Sequence, residues 1–329
     1  MGDVSQALGW YIGEVIKLPQ SDILSAVRSR EWFINLVKQE IRGRTGEPVL
    51  YPERNTLNFG SYFKGTKVAA VDEFDVLVIL DSNHGVFSQN GIDIGSGLGR
   101  ADPNHMFDEK YKKSDGIGVS PTKLLNWLKD VIESATGKYG VETPVRNGQA
   151  ITATIKSKNL KLDLVPAGVF QHNSSGETFY AIPKGDLENS WIATAPHRDM
   201  EHLEEVAYNK KNFRNVIRLC KRIRDTYNFD VSSFAIESAI IEYADGNYWY
   251  NDLYKDFKGA LKTLIKAFRG GVIPDPFDNQ NNLIAGVASL DWYAERLKKI
   301  VDGMDECAGW TRQDEVRERI YALLENQLD

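Results

Sequence analysis

The sequence predicts an α+β protein: a mixed α/β lobe over residues 1–185, joined to an all-helical lobe over residues 186–329. Short runs rich in β-branched and apolar residues, bounded by turn residues, lie before Pro183. Beyond it, apolar residues recur at helical spacing through one segment after another. A chain of 329 residues is long enough to bury two moderate cores. Two such lobes imply a cleft between them, a common place for a ligand.

Taken in order, Ser21 to Arg42 reads as a long amphipathic helix. Ile23, Leu24, Val27, Phe33, Ile34, Val37 and Ile41 form its apolar face, and Ser21, after Pro19, is its expected N-cap. A short strand is expected around Leu57 and Phe59, ending in a Gly60-Ser61 turn. The run Glu73 to Leu80 reads as a buried strand. Asp81 to Ser114 is glycine-rich, polar and without period, as in a long loop or insertion. Ser120 to Ile132 is helical, with Pro121 in its first turn. Strands are expected at Ala150 to Ile155 and Leu160 to Val165, joined by the turn Ser157-Lys158-Asn159. Helices follow over His202–Asn209, Asn212–Tyr227, Ser232–Ala244, Tyr250–Phe268, Ala285–Met304 and Thr311–Leu328.

Composition narrows the function. No apolar run approaches the roughly 20 residues that span a bilayer, and residues 1–11 lack the basic-then-apolar pattern of a secretion signal. Two cysteines supply neither a disulfide framework nor a zinc quartet, so the cytoplasm is the expected compartment. The formal net charge is −6. Proteins that grip long nucleic acid by counterion release usually carry a basic excess on at least one face, so a duplex is not the expected partner. Nucleotides, whose phosphates need only a few placed cations, remain compatible.

The chemistry concentrates in three carboxylates. Glu73 and Asp75 are two apart in a strand, so both project from one face. At close range they repel, and a divalent ion with oxygen ligands is the economical compensation. Asp163 sits in a second apolar strand; if the two strands are adjacent, three acidic groups converge, enough to hold two ions. The plainer reading is that Glu73 merely begins a strand at its solvated end and Asp75 lies at an edge. The upstream Gly60-Ser61 tips the balance, since it offers a flexible backbone and a hydroxyl to a triphosphate.

A Gly-Ser followed about a dozen residues later by acid-x-acid on a strand is the signature of the polymerase-β-like nucleotidyltransferase superfamily. The block from Gly60-Ser61-Tyr62-Phe63 through Glu73-Phe74-Asp75-Val76 to Leu80 resembles the catalytic segment of the cGAS/DncV-like nucleotidyltransferases, the bacterial relatives of cyclic GMP-AMP synthase. The likeness continues at 146–152, at 160–165, where the family carries its third metal ligand, at 179–184 with the Trp191 region, and at 273–283. It implies a polymerase-β-like lobe with a mixed sheet, a helical lobe, and a pair of Mg²⁺ ions (Mn²⁺ as the alternative) on Glu73, Asp75 and Asp163. The implied activity is synthesis of a cyclic di- or trinucleotide messenger from ATP, GTP or other triphosphates, in anti-phage signalling of the CBASS kind. The animal DNA sensor carries a zinc insertion in its helical lobe; here the matching interval, Glu204 to Arg214, is short and has no cysteine. A duplex activator is therefore not expected, and control by a protein partner or small ligand is. Transfer of one nucleotide to an RNA or protein acceptor, and a non-catalytic nucleotide-binding relative, are the rival readings.

In the helical lobe Arg214, Arg218 and Lys221 share one helix face, which by itself is equally well a solvated stripe. The resemblance places a triphosphate-contacting lysine at Lys221, with Arg218 its rival. It places a phosphate-binding serine at Ser233 and a base-stacking aromatic at Phe234, with ordinary core packing as the alternative for the latter. Gly95 to Arg100 superficially suggests a dinucleotide loop but lacks a strand-to-helix frame. His197 and His202 read as surface or capping residues, and Cys220 as core. Tyr248, Trp249 and Tyr250 could form a nucleotide shelf, though packing is the plainer reading.

Overall fold

A computed structural model describes residues 3–68, 72–81, 86–87, 94–95, 109–114, 119–171, 178–184, 191–276 and 278–327. The chain opens with α1 (Val4–Tyr11), which continues through a π-helical segment, Ile12–Ile16. Two compact units follow from its contacts: one takes the described residues of 19–63 and 71–199, the other those of 1–18, 64–70 and 200–329.

The first unit is built on a mixed sheet. Its elements are α2 (Gln20–Gly43), β1 (Thr56–Phe59), β2 (Glu73–Leu80), a two-residue pair β3 (Val86–Phe87) and β4 (Ile94–Gly95), and α3 (Pro121–Thr136). After these come β5 (Val145–Asn147), β6 (Ala150–Ile155), β7 (Leu160–Gln171), β8 (Thr178–Pro183) and β9 (Trp191–Thr194). The main sheet runs β1-β2-β7-β6-β5, with β8 pairing the far half of β7 and β9 pairing β8. Only β2 and β7 are parallel among its described pairings. On one face Phe74, Val76, Val78, Leu162, Leu164, Ile151 and Ala153 pack under α2 and α3. On the other, Leu77, Ile79, Val165, Ala167, Tyr180 and Ile182 make a smaller core.

Local chemistry departs from expectation at several ends. Ser21 does not cap α2: Pro19 holds that position without a side-chain hydrogen bond, and Ser21 instead donates to Asp22. Ser120 does cap α3, accepting from the Lys123 N–H. β7 runs past Val165 through Pro166, which faces Val78 in the parallel register; proline removes one donor from the ladder but keeps its carbonyl. The 179–183 and Trp191 segments are neighbouring antiparallel strands of this sheet. Of Gly95 to Arg100, only Gly95 falls within the described residues, and most of the expected loop over 81–114 lies outside them.

The second unit is helical. Its helices are α4 (Pro196–Ala207, which begins in the first unit), α5 (Phe213–Thr226), α6 (Ser233–Gly246), α7 (Leu253–Gly270), α8 (Leu290–Cys307) and α9 (Gln313–Leu324). A hairpin of β10 (Pro274–Asp275) and β11 (Asp278–Asn282) separates α7 from α8. Ser232 caps α6 and Asp252 caps α7. The first helix belongs here: Val4, Ala7, Leu8 and Tyr11 recur at helical spacing and join this core. Ser5 Oγ accepts from the Tyr254 N–H and donates to Asp252, and Gln313 Oε1 accepts from the Asp3 N–H.

Candidate active site

Strand alternation sets the site. Along β2 the side chains of Glu73, Asp75, Leu77 and Ile79 share a face, and the last two are buried in the smaller core. The same face of β7 carries Asp163, Val165 and Ala167. Parallel register sets Asp75 directly opposite Asp163. A surface that is apolar at one end of the strand pair is therefore carboxylate-lined at the other. One oxygen from each of Glu73, Asp75 and Asp163 lies within 4.8 Å of the other two, and all three residues are half-buried. Among the described residues this is the one group of three or more potential ligands that converges.

Two neighbours shape it. Thr152 faces Asp163 across the β6–β7 pairing and donates its hydroxyl to Asp163 Oδ1 at 2.6 Å. Gly60, at the end of β1, has φ +83°, and a Cβ there would lie 2.0 Å from Asp75 Oδ2. Only glycine permits both that backbone and that approach. Three hard oxygen donors held this closely fit Mg²⁺ or Mn²⁺.

The other expected residues lie on α5 and α6 of the helical unit. Lys221 is buried, its ammonium 2.7 Å from Glu237 Oε1. Arg218 donates from Nη1 to Asn215 at 3.0 Å, while its buried Nε has no acceptor among the described residues. Arg214 pairs with Glu204 and donates Nε to the Lys64 carbonyl at 3.0 Å. Ser233 Oγ accepts from Arg224. Phe234 is half-buried rather than core, with Lys64 Nζ 5.5 Å from its ring centroid. Cys220 is packed in the core, where burial pushes its thiol pKa up. Trp249 is also largely buried, packed against Phe213 and donating to the Lys211 carbonyl; Tyr248 and Tyr250 are exposed.

Sequence reading passed over Thr152, Lys64, Thr66, Arg224 and Glu237. Three of these left a signal. Lys64-Gly65-Thr66 begins three residues after Ser61, and Glu237 is a lone charge in the apolar run Ala235 to Ile241.

The Mab-21 protein nucleotidyltransferase domain family matches residues 62–179. A Bacillus cereus (strain VD146) protein named "Probable cyclic nucleotide synthase" is 23% identical over 258 residues, covering 77% of this chain and 75% of that one. A "Cyclic GMP-AMP synthase-like receptor" of Aethina tumida is 24% identical over 277 residues, covering 69% of each. Among solved structures, CdnC of Escherichia coli MS115-1 with ATP aligns at TM-score 0.65 and 14% identity, over 98% of this chain and 97% of that one. DncV of Vibrio cholerae aligns at TM-score 0.59 and 16% identity, over 83% and 69%. The same E. coli CdnC is also known in a complex with HORMA-deltaN.

Proposed function

The chain is related at family level to the cGAS/DncV-like nucleotidyltransferases, and from that premise we propose that it makes a cyclic di- or trinucleotide messenger from nucleoside triphosphates. The likenesses and the acidic cluster together support a nucleotidyl-transfer reaction. The observation that carries the reading is the registered meeting of Asp75 with Asp163, Glu73 beside them.

A ribose hydroxyl attacks an α-phosphate in line. The new O–P bond forms as the bond from the α-phosphorus to the β-phosphate oxygen breaks, the hydroxyl proton passes to solvent water and pyrophosphate leaves. Divalent ions, when bound, polarise the α-phosphate and offset the charge on attacking and leaving oxygens. Glu73, Asp75 and Asp163 fix where that positive charge sits, and Thr152 holds one oxygen of Asp163 in place. The Gly60-Ser61 turn offers a hydroxyl and backbone N–H groups to phosphate. Lys221, Arg218 and Ser233 are assigned to the triphosphate and Phe234 to a base. A second round of the same chemistry closes the ring.

We place this activity in bacterial anti-phage signalling of the CBASS kind, in the cytoplasm. A regulatory protein partner is part of the reading, by analogy with the CdnC–HORMA complex. Among the described residues no helix is long and apolar enough to cross a membrane.

The test is incubation with ATP, GTP and Mg²⁺ and no macromolecule, followed by mass spectrometry. A cyclic oligonucleotide is the expected product. Incorporation only on adding an RNA or protein acceptor would favour the conventional transferase, and no incorporation under either condition the non-catalytic relative.

A further inference from the structure

Lys64, Thr66, Lys221 and Glu237 form a buried polar cluster in the core of the helical unit. Their exposures are 8%, 0%, 3% and 3%. Glu237, on α6, accepts at both oxygens: Lys221 of α5 at 2.7 Å and Thr66 at 2.5 Å on Oε1, and Lys64 at 2.9 Å on Oε2. Lys221 also donates to Thr66 Oγ1 at 3.3 Å. The cluster thus gathers three separate stretches of chain, one of which begins three residues after Ser61.

Two features set this cluster apart from a plain structural ion pair. A buried ion pair adds little net stability over apolar residues of the same size, so stability alone is a poor account of it. An ammonium group has three donors, and Lys221 spends two, on Glu237 and Thr66, which leaves one for a further acceptor. The next rung of the same two helices is Arg224 with Ser233: Arg224 follows Lys221 by three residues on α5, and Ser233 precedes Glu237 by four on α6. The residues assigned to phosphate therefore stand on adjacent rungs, and Glu237 fixes one of them.

We propose that Glu237 is a positioning residue for nucleotide phosphate, acting through Lys221 and Lys64, whose ammonium groups it holds on either side of its carboxylate. The proposal rests on the nucleotide-binding reading above. Glu237 also favours the charged form of Lys221. Burial lowers the pKa of Lys221, with Lys64 and Arg224 acting in the same direction, and Glu237 is the group that opposes them. Without that carboxylate Lys221 loses its proton at a lower pH, and with it the attraction for phosphate. A residue serving only to hold the helices together has no such pH signature.

The test is equilibrium binding of α,β-methylene ATP and α,β-methylene GTP, which cannot react, by calorimetry between pH 7 and 9.5. The unaltered chain, Glu237→Gln and Lys64→Met are compared, with near-ultraviolet circular dichroism to check packing. Expected is a Kd raised at least tenfold in Glu237→Gln and rising further with pH, against a nearly flat profile in the unaltered chain. Lys64→Met leaves the Glu237–Lys221 pair in place, so it keeps its fold and should raise Kd several-fold, even if Glu237→Gln fails to fold. Unchanged affinity in Lys64→Met overturns the proposal, as does a folded Glu237→Gln whose Kd is unchanged or independent of pH. Should the unaltered chain bind neither analogue, the nucleotide reading falls along with it.

Discussion

The sheet and the helices each gather charged side chains out of open water, and they do it in opposite ways. On β2 and β7 three carboxylates are brought within 4.8 Å of one another. Between α5 and α6 one carboxylate is set between two ammonium groups and a hydroxyl. The first arrangement costs the fold energy and calls for a cation from outside; the second answers its carboxylate from within and keeps one positive charge over. Burial of charge is thus not one signal but two, and the signs of the neighbours tell a place that wants a cation from one with positive charge to spare.

The contrast is broken most directly by deleting charge on each side. Glu73→Ala with Asp75→Ala should lower turnover by about a thousandfold or more, since each ligand lost removes charge stabilisation from the transition state. The melting temperature should stay level or rise, because like-charge repulsion is relieved. Asp163→Asn should likewise lose kcat at every nucleotide concentration. In the helices, Glu237→Gln strips a buried pair of its partner and should cost roughly 3–5 kcal/mol of stability. Pyrophosphate release and thermal unfolding measure both; a sheet double variant with normal turnover would remove the metal assignment.

Gly60→Ala comes next. The new methyl meets Asp75 Oδ2 in a backbone conformation that L-residues avoid, so about a hundredfold loss of kcat is expected, with about 1–3 kcal/mol of strain. Phe234→Ala should raise KM by roughly ten- to a hundredfold, as stacking is worth about 1–3 kcal/mol per base, and saturating nucleotide should restore most of kcat. Rescue of Asp163→Asn by nucleotide, with none for Phe234→Ala, would show the two roles to be reversed. Thr152→Val keeps shape and removes only the hydroxyl on Asp163; the Mg²⁺ needed for half-maximal rate should rise about tenfold, and Thr152→Ser should recover it. The smallest effect expected is none at all: long duplex DNA should leave the rate unchanged, and a length-dependent, salt-sensitive stimulation would overturn that.

The carboxylate half of this contrast was legible in the sequence and the helical half was not. Glu73, Asp75 and Asp163 stand out because each interrupts an apolar strand, and strand periodicity alone puts them on the correct faces. Their adjacency was not readable: it depends on β2 lying parallel to β7, a pairing across a long intervening stretch that no local pattern encodes. Glu237 is equally conspicuous as an isolated charge, yet its partners come from α5 and from the segment after Ser61, and nothing local points to either. The α1 helix was readable and missed, for Val4, Ala7, Leu8 and Tyr11 carry the spacing plainly. Caps were mixed, as Ser120 obeys its preference while Ser21 yields to Pro19.

That β2 and β7 are parallel also bears on how the protein acquires its chemistry. Parallel neighbours cannot be joined by a tight turn, so Asp75 and Asp163 meet only after a long stretch of chain has been closed into a loop, an entropic cost met before the contact returns anything. Long-range pairing of this kind slows folding, and the two aspartates arrive repelling each other. Competence should therefore emerge late and all at once during refolding, lagging the formation of helical signal from α5 to α9, whose contacts are more local. On a ribosome, the first catalytic strand has to wait for the second to be made.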